Sequence, residues 1–348
     1  MNRIQISHLI QQGIQDQIFP GAVAYIVEHG RVLYDEAFGH RMITPEIRPM
    51  RRETIFDLAS LTKPIVVGTL VMRLAEDGCL EIHAPIQKYL PEFTHQQVTI
   101  LHLLTHTSGL PAWRAVYLET TSKDQVVDYL SQMPLEYPTG EQVVYSCLGY
   151  ILLGKLIERL TGETLDRLAQ KWIFQPLEMS RTRYNPPGEW RDLCAATEDS
   201  TSFEKRMVNY QRYDWREGVI VGEVHDENAH FLGGVSGNAG LFSTAEDLGK
   251  FCQMLINGGE GVLNTESIVQ MATLHTRGLN ASRGLGWIVL EDGSLYHTGF
   301  TGTSIRVNLN RKMFAILLTN RVHPDASREG ILEFRDKFHR SVFGGLYD

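Results

Sequence analysis

The sequence predicts an α/β fold in which a discontinuous domain of strands and helices carries a helical insertion. Strand patterns occur near the N-terminus and return after about residue 280, and mostly helical patterns lie between them. A helical pattern over 330–344 closes the chain. Separate runs of strands and helices are typical of an α+β arrangement. We therefore expect residues 1–83 and 215–348 to form an α/β sheet domain, with a mostly helical domain at 84–214.

The N-terminal elements follow from the spacing of apolar residues. Apolar positions at helical spacing predict an amphipathic helix over 4–17. The next segment, AVAYIVEHGRVLYDEAFG, predicts two strands joined at His29-Gly30. The segment SLTKPIVVGTLVMRLAEDG then predicts a helix that ends at Gly78.

The later elements are predicted in the same way. VVYSCLGYILLGKLIERLTG and TLDRLAQKWIFQPLEM are typical of helices in the insertion. Strands are predicted for GLGWIVL, SLYHTG, TSIRVNLN and KMFAILLTNR. No internal repeat is visible.

Composition excludes several classes of protein. The 348 residues are 43% hydrophobic and carry a net charge of −8, so we expect a globular protein with no nucleic-acid partner. No apolar run has the length of a secretory signal or a membrane span. We expect a cytoplasmic location if Met1 is the native start, and a periplasmic or secreted one if the start lies upstream. Free thiols in a reducing compartment are expected for the scattered cysteines Cys79, Cys147, Cys194 and Cys252.

Several well-known motifs are absent. The chain has no HExxH, no G-x-x-x-x-G-K-[ST] and no G-x-G-x-x-G. The segment GGVSGNAG at 233–240 approaches the G-x-S-x-G elbow, but Asn238 replaces the last glycine and no clear strand precedes it. We therefore expect no metal or other cofactor, and no α/β-hydrolase elbow.

A serine and a lysine lie one helical turn apart in LASLTKPIVVGTL, residues 58–70. Residues three apart share a helix face, so Ser60 and Lys63 can approach hydrogen-bonding distance. A serine hydroxyl needs a base, and lysine serves as one when burial or a nearby cation lowers its pKa. The alternative is an ordinary helix start, with Ser60 as N-cap and Pro64 in the first turn. Taken alone, this common pair favours the ordinary start.

Two downstream segments supply the other parts of a hydrolytic site. Tyr145 opens an apolar helix and can share a proton with Ser60 and Lys63 if lysine charge stabilises its phenolate. The alternative is a half-buried tyrosine at the start of a core helix. In YHTGFTG at 296–302, a glycine-rich strand edge lets a substrate approach the backbone, and the Phe300 N–H can face an oxyanion. A simple hairpin is the alternative there.

In order along the chain, Ser60-x-x-Lys63, Tyr145-x-Cys147 and His297-Thr298-Gly299 resemble the serine β-lactamase and penicillin-binding-protein superfamily. The chain is most similar to its class C-like branch, which also contains DD-peptidases and carboxylesterases. The resemblance covers nearly the whole chain and includes FPGAVAYIV, LLTHTSGLP, IFQPLEM, GNAGLFSTAEDL and LLTNRVHP.

The resemblance implies an antiparallel sheet flanked by helices, an all-helical inserted domain, and an active site in the cleft between them. It implies that Ser60 is the acylated nucleophile and that Lys63 and Tyr145 take its proton and later activate water. Backbone N–H groups of Ser60 and Phe300 would form an oxyanion hole, in which one donor typically contributes ~10²–10³ in rate. Substrate contacts are implied for His297, Thr298, Gly299 and Cys147.

Two departures from the superfamily pattern bear on the substrate. Cys147 stands where the family usually has Asn or Asp, and a thiol is a weaker hydrogen-bonding partner than an amide. His297 stands where β-lactamases have lysine, and histidine loses much of its charge at pH 7. Both changes favour an esterase or a relaxed peptidase over a β-lactamase, with slow β-lactam turnover and measurable cleavage of short-chain esters.

Other candidate residues are assigned lesser roles. His106 is expected in a structural turn below the cleft. The run GEVHDENAH at 222–230 is expected to form a cleft-side loop in which His225 and Asp226 contact substrate, with a metal cluster as the alternative. Four aromatic residues are candidates for an acyl pocket or for core packing: Trp113, Tyr117, Trp190 and Trp215.

The sequence therefore predicts a serine hydrolase that forms an acyl-enzyme on a small-molecule ester, amide or β-lactam. One alternative is a β-lactamase or D-alanyl-D-alanine carboxypeptidase. Another is a non-catalytic penicillin-binding or scaffold protein, against which the retained Ser60, Lys63 and Tyr145 argue. The natural substrate and the oligomeric state do not follow from the sequence.

Overall fold

A computed structural model describes residues 2–210 and 212–344, and its largest feature is an antiparallel sheet. The strands are β1 (Gly21–Glu28), β2 (Arg31–Met42), β3 (Arg48–Pro49), β4 (Phe56–Asp57), β5 (Arg183–Tyr184), β6 (Ala196–Asp199), β7 (Val219–Val221), β8 (Leu241–Ser243), β9 (Ile288–Val289), β10 (Leu295–Thr298), β11 (Ser304–Asn308) and β12 (Met313–Thr319). Seven of them form the main sheet, in the order β3-β2-β1-β12-β11-β10-β9, and each neighbouring pair is antiparallel. The predicted fold class is therefore confirmed.

Helices cover the sheet and form the region between its two halves. The α-helices are α1 (Arg3–Gln15), α2 (Thr69–Glu76), α3 (Ile100–Leu104), α4 (Val116–Glu119), α5 (Val126–Ser131), α6 (Cys147–Thr161), α7 (Leu165–Ala169), α8 (Ser202–Val208), α9 (Glu227–Phe231), α10 (Ala245–Ile256), α11 (Thr265–Ala272) and α12 (Ile331–Phe343). Short 3-10 helices occupy Ala59–Leu61, Ile86–Lys88, Lys123–Gln125 and Gly188–Leu193, and π-helical turns occupy Lys63–Gly68 and Gln170–Phe174. Within the described parts of the chain, no helix is both long enough and apolar enough to cross a bilayer.

The two faces of the main sheet bury different sets of side chains. In β1, Ala22, Ala24 and Ile26 pack with residues of α1 and α12, whereas Val23 and Val27 join the larger core on the opposite face. This division follows from the alternation of side chains along a strand. Every residue of β12 is buried, because this central strand is covered on both faces.

Most predicted elements are present, with two informative differences. The segment GLGWIVL forms a strand only at Ile288–Val289. The predicted helix that starts at Ser60 is divided into a 3-10 turn, a π-helical turn and α2, and Ser60 does not cap it. Instead, the Asp57 carboxylate accepts the Ala59 N–H at 2.8 Å, and Ala59 itself has a φ of +47°.

Short strands also connect the predicted insertion to the sheet domain. Strand β5 pairs with β8, and β6 pairs with β7, so each pairing crosses the predicted boundary at residue 214. The boundaries at 84 and 214 therefore stay predictions.

Candidate active site

Nearly all of the predicted site residues line one cavity of about 900 Å³. The predicted residues on its wall are Ser60, Tyr145, Cys147, His225, Asp226, His297, Thr298, Gly299 and Phe300. Lys63 is fully buried beside the cavity, and its Nζ donates a hydrogen bond to Ser60 Oγ on the cavity wall. The volume is typical of a pocket for a small molecule.

Lys63 Nζ is held by three groups at the base of the cavity. It lies 3.1 Å from Ser60 Oγ, 2.8 Å from the carbonyl oxygen of Asn238 and 3.6 Å from Cys147 Sγ. These contacts can satisfy the three donors of an ammonium group. The lysine side chain is therefore directed at Ser60 by groups from two other segments of the chain.

The contact with Asn238 is a feature of the candidate site that the sequence did not predict. The loop that carries it passes so close to α6 that a Cβ at Gly237 would lie 2.0 Å from the carbonyl oxygen of Tyr150. Glycine is required there for close approach of two backbones. The glycines of this near match to G-x-S-x-G therefore indicate a tight loop that holds Lys63, and they do not form a nucleophile elbow.

Tyr145 is positioned by the residues on either side of it. Ser146 caps α6 by accepting the Gly149 N–H at 3.3 Å. The Val144 N–H donates to the His106 carbonyl at 2.9 Å, and the Ser146 N–H donates to His106 Nδ1 at 3.0 Å. The rings of His106 and Tyr145 lie 4.5 Å apart, so His106 supports both the backbone and the ring of Tyr145.

Burial controls the protonation of this cluster. It raises the pKa of the Tyr145 phenol and of the Cys147 thiol, against the opposing effect of the Lys63 charge. Burial alone would lower the pKa of Lys63, but Cys147 and Tyr145 beside it raise that pKa above its ordinary value. At neutral pH the lysine is therefore an ammonium that donates to Ser60, and the phenol is neutral.

The third predicted segment lies against the backbone that precedes Ser60. Thr301 Oγ1 donates to the Asp57 carbonyl at 2.7 Å, and Thr303 Oγ1 donates to the Leu58 carbonyl at 3.1 Å. Among the described residues, the backbone N–H groups of Ser60 and Phe300 donate no hydrogen bond. Two unpaired donors on the wall of one cavity are what an oxyanion hole requires.

Two arginines that the sequence did not single out hold the strand end that carries Phe300. Arg335 Nη2 donates to the Gly299 carbonyl at 2.5 Å, and Arg321 Nε donates to the Phe300 carbonyl at 2.8 Å. No local motif marks either arginine, because Arg321 follows β12 and Arg335 lies on α12, and both are far along the chain from Gly299 and Phe300.

The surroundings of His297 favour the neutral form of its ring. Its Nδ1 donates to the Thr298 carbonyl at 2.9 Å, and Nε2 is buried with no partner among the described residues. Burial lowers its pKa well below the ordinary value, and the charges of Arg283 and Lys63 lower it further. This lowered pKa has the same direction as the loss of charge expected for histidine at this position.

His225 and Asp226 line the cavity with side chains that already have partners. His225 Nε2 lies 2.9 Å from Glu198 Oε2, and Asp226 Oδ1 accepts the Ala229 N–H at 2.8 Å and the Asn238 amide at 3.1 Å. In the part of the chain that the structure describes, no cluster of three or more His, Cys, Asp or Glu is arranged to hold a metal ion.

The aromatic candidates divide between the cavity and the core. Trp113 lines the cavity. Tyr117 and Trp215 are buried and pack against the ring of Tyr213. Trp190 lies against Arg181 in another part of the molecule. The apolar wall comes from residues that the sequence did not single out: Phe203, Met207, Ile288, Ile331 and Leu332.

A serine bonded to a buried lysine, in a cleft with two free backbone donors, defines a serine hydrolase. A family model described as Beta-lactamase matches residues 6–338. The chain therefore belongs to the Beta-lactamase family, as its motifs predicted.

Two relatives agree with this membership, and one solved structure shares the fold. An N-acetylmuramyl-L-alanine amidase of Bacillus subtilis (strain 168) is 33% identical, over 88% of this chain and 78% of the relative. A putative D-alanyl-D-alanine carboxypeptidase of Salmonella enteritidis PT4 is 29% identical, over 91% of this chain and 83% of the relative. The structure of EstCE1, a hydrolase with promiscuous acyltransferase activity, superposes with a TM-score of 0.78 at 24% identity and covers 98% of both chains. That last likeness shows the fold alone.

Proposed function

We propose that this serine hydrolase cleaves small esters through an acyl-enzyme on Ser60. The observation that carries the proposal is the 3.1 Å contact between Lys63 Nζ and Ser60 Oγ on the wall of the cavity. Ser60 Oγ attacks the carbonyl carbon and forms a tetrahedral intermediate. The leaving alcohol then departs with a proton, and water releases the acyl group by the same steps in reverse.

Lys63 and Tyr145 act together as the base. Since the ammonium donates to Ser60 in the resting site, the pair must first lose one proton to solvent. The Tyr145 hydroxyl has no hydrogen-bond partner among the described residues, so the amine and the phenol must approach each other before they share the remaining proton. The pair then accepts the Ser60 proton as the new bond forms. It later returns this proton to the leaving oxygen.

The oxyanion is stabilised by the backbone N–H groups of Ser60 and Phe300. Both are free donors among the described residues, and both belong to segments tied together through Asp57 and Leu58. Donors fixed before the reaction require no reorganisation as charge develops on the carbonyl oxygen.

Three features of the cavity favour an ester over a β-lactam. The cavity wall includes Phe203, Met207, Ile288, Ile331 and Leu332, and these apolar side chains suit a short acyl chain. Cys147 provides a thiol where an amide side chain would recognise a peptide-like carbonyl. His297 is neutral and provides no cation for a carboxylate.

A second candidate function is cleavage of an amide next to a terminal carboxylate. The names of two relatives, an amidase and a putative carboxypeptidase, favour it. Either substrate would be a small molecule, and the net charge of −8 supports the absence of a nucleic-acid partner. The free thiols of all four cysteines support a cytoplasmic location.

A hydrolysis panel tests the proposal. Wild type, Ser60→Ala and the exposed control Ser282→Ala are compared on 4-nitrophenyl acetate, nitrocefin and an acylated D-alanyl-D-alanine peptide. We expect ester cleavage by wild type and control, and a loss of at least about 10³-fold in kcat/KM for Ser60→Ala. Mass mapping after treatment with a fluorophosphonate should place the adduct on Ser60. An adduct elsewhere, or rapid nitrocefin turnover without ester turnover, would contradict the proposal.

A further inference from the structure

Glu204 is a carboxyl group in the cavity that the proposed chemistry does not use. It lies on α8 and lines the cavity, yet only 8% of the residue is exposed. Its Oε1 is buried without a hydrogen-bond partner among the described residues. Tyr117 lies nearby, and its buried hydroxyl is likewise without a partner in the described part of the chain.

The two acids next to Glu204 already have partners. Glu227 pairs with Arg216, whose Nη2 lies 2.6 Å from Glu227 Oε2. Asp226 Oδ1 accepts the side-chain amide of Asn238 at 3.1 Å. A buried carboxyl group without such a partner is costly unless a ligand completes its hydrogen bonds. Of these three acids, Glu204 is therefore the one that remains available to a substrate.

The charges around Glu204 favour a cationic ligand. Burial, and then the charge of Asp226, raise the pKa of Glu204 to about 8. A cation bound beside the two carboxyl groups relieves this repulsion and allows Glu204 to ionise. Within 2–210 and 212–344, no group of three or more His, Cys, Asp or Glu is arranged to hold a metal ion. A single ammonium group fits this place better than a metal ion does.

Aromatic rings border the same part of the cavity. Phe203 precedes Glu204, and its ring lies 5.3 Å from the ring of Phe300. Trp113 lines the cavity as well. Ring faces attract ammonium groups, and they pack against the methylene groups that carry such a charge. The surroundings of Glu204 therefore suit an organic ammonium group.

The place of Glu204 indicates which part of the substrate it faces. Tyr145 and Lys63 return a proton to the leaving oxygen, so the leaving group lies on the Tyr145 side of the scissile bond. Arg283 borders that side, since its Cζ lies 5.6 Å from the centre of the Tyr145 ring. Burial lowers the pKa of Arg283, and the groups that oppose this shift are Tyr145 and Tyr150 rather than a carboxyl group. Glu204 is therefore remote from the leaving-group side and faces the acyl group.

We infer that Glu204 is a specificity-determining residue that binds an ammonium group on the acyl part of the substrate. The substrate class is then an ester whose acyl chain carries an amine. Hydrogen bonds between an ammonium and a carboxylate are among the strong ones, because both partners are charged. This inference rests on the proposed function and names the substrate class.

Three esters with acyl chains of equal length test the inference. 4-Nitrophenyl 3-aminopropanoate carries an ammonium group where 4-nitrophenyl butanoate carries a methyl group. 4-Nitrophenyl 3-hydroxypropanoate carries a neutral hydroxyl there. The ratio of kcat/KM for the amino ester to that for the butanoate is measured for wild type, Glu204→Gln and Glu204→Asp. The control is Glu329→Gln, which removes a charge from an exposed position on the same wall.

We expect the ratio to fall about 10- to 100-fold in Glu204→Gln, with partial recovery in Glu204→Asp and no change in Glu329→Gln. An unchanged ratio overturns the inference. Equal losses for the amino and hydroxy esters, relative to the butanoate, also overturn it, because Glu204 would then act as a neutral hydrogen-bonding group.

Binding without turnover provides a second arm. N-(4-nitrophenyl)-3-aminopropanamide and N-(4-nitrophenyl)butanamide are the amide counterparts of two of the esters. Their Kd values are measured by calorimetry in Ser60→Ala, with and without Glu204→Gln. The added substitution should raise the Kd of the amino compound about 10-fold and leave that of the butanamide unchanged.

The two arms separate failure of the inference from failure of the proposed function. If Ser60→Ala cleaves the esters as well as wild type, the proposed function fails, and the Kd values still decide the role of Glu204. Equal changes in Kd for the two amides would overturn that role.

Discussion

Arg335 Nη2 donates a hydrogen bond to the carbonyl oxygen of Gly299 over 2.5 Å, and the arginine is almost fully buried. In a trans peptide the C=O of one residue and the N–H of the next point in opposite directions. The arginine therefore fixes the direction of the Phe300 N–H, one of the two proposed oxyanion donors. Its positive charge also polarises that peptide group, although burial lowers its pKa to about 10.

Replacing Arg335 should slow the chemical step more than it weakens binding. We expect Arg335→Met to lower kcat for a neutral ester about 10- to 100-fold with little change in KM, because the oxyanion exists only in the transition state. Arg335→Lys should recover part of the loss. The control is Arg340→Gln on the same helix, whose guanidinium pairs with Asp336 at the surface. A rise in KM with kcat unchanged would contradict the assignment of Arg335 as a positioning residue.

Gly299 should not tolerate a side chain. An added Cβ would lie 2.3 Å from the Leu58 carbonyl oxygen and 2.3 Å from Thr303 Oγ1, which are bonded to each other. We expect Gly299→Ala to lower the free energy of unfolding by about 1–3 kcal/mol and to lower kcat for a neutral ester at least about 10-fold.

Denaturant unfolding and steady-state kinetics measure these two losses for Gly299→Ala. The control is Gly188→Ala, where an added Cβ meets no atom within 4 Å. Equal behaviour of the two variants would show that β10 can move away from residue 58 without cost.

Ester hydrolysis should become faster as pH rises. Burial raises the pKa of Tyr145, and the pKa of Lys63 is also above its ordinary value, so the basic form of the pair is scarce at neutral pH. We expect log kcat/KM for a neutral ester to rise with a slope near one between about pH 6 and about pH 9. A plateau already reached at neutral pH would instead indicate a base with a lowered pKa.

Glu204 should make the folded state less stable in alkaline solution. Burial, with help from Asp226, raises its pKa from 4.5 to about 8 in the folded protein. The folded state therefore retains a proton that the unfolded chain has lost, and its contribution to stability is lost as pH rises from about 4.5 through about 8.

The variant Glu204→Gln removes this titration. We expect it to match wild type near pH 5 and to exceed it by about 1–3 kcal/mol in free energy of unfolding near pH 9. The exposed Glu329→Gln, on the same cavity wall, should keep the pH dependence of wild type. Parallel curves for wild type and Glu204→Gln would refute the expectation.

Local patterns predicted the elements of the fold well. Apolar spacing predicts helices near α1 and α12 because each buries one face against the sheet. An apolar run followed by the turn at His29-Gly30 predicts β1 and β2. The division of the helix after Ser60 was not predicted. It depends on Asp57, whose carboxylate accepts the N–H groups of Ala59 and His225 and whose strand pairs with β8. Ala59 has a positive φ in this arrangement, and these contacts are distant in the sequence.

The sequence by itself determined the family, the fold class and the short-range chemistry, because spacing of three residues places Ser60 and Lys63 on one helical face. Only the tertiary structure decided what surrounds that pair. The Asn238 carbonyl holds Lys63, and Arg335 orients the peptide before Phe300. These contacts join residues far apart in the chain, and burial among them determines which groups are charged, so no local pattern could show them.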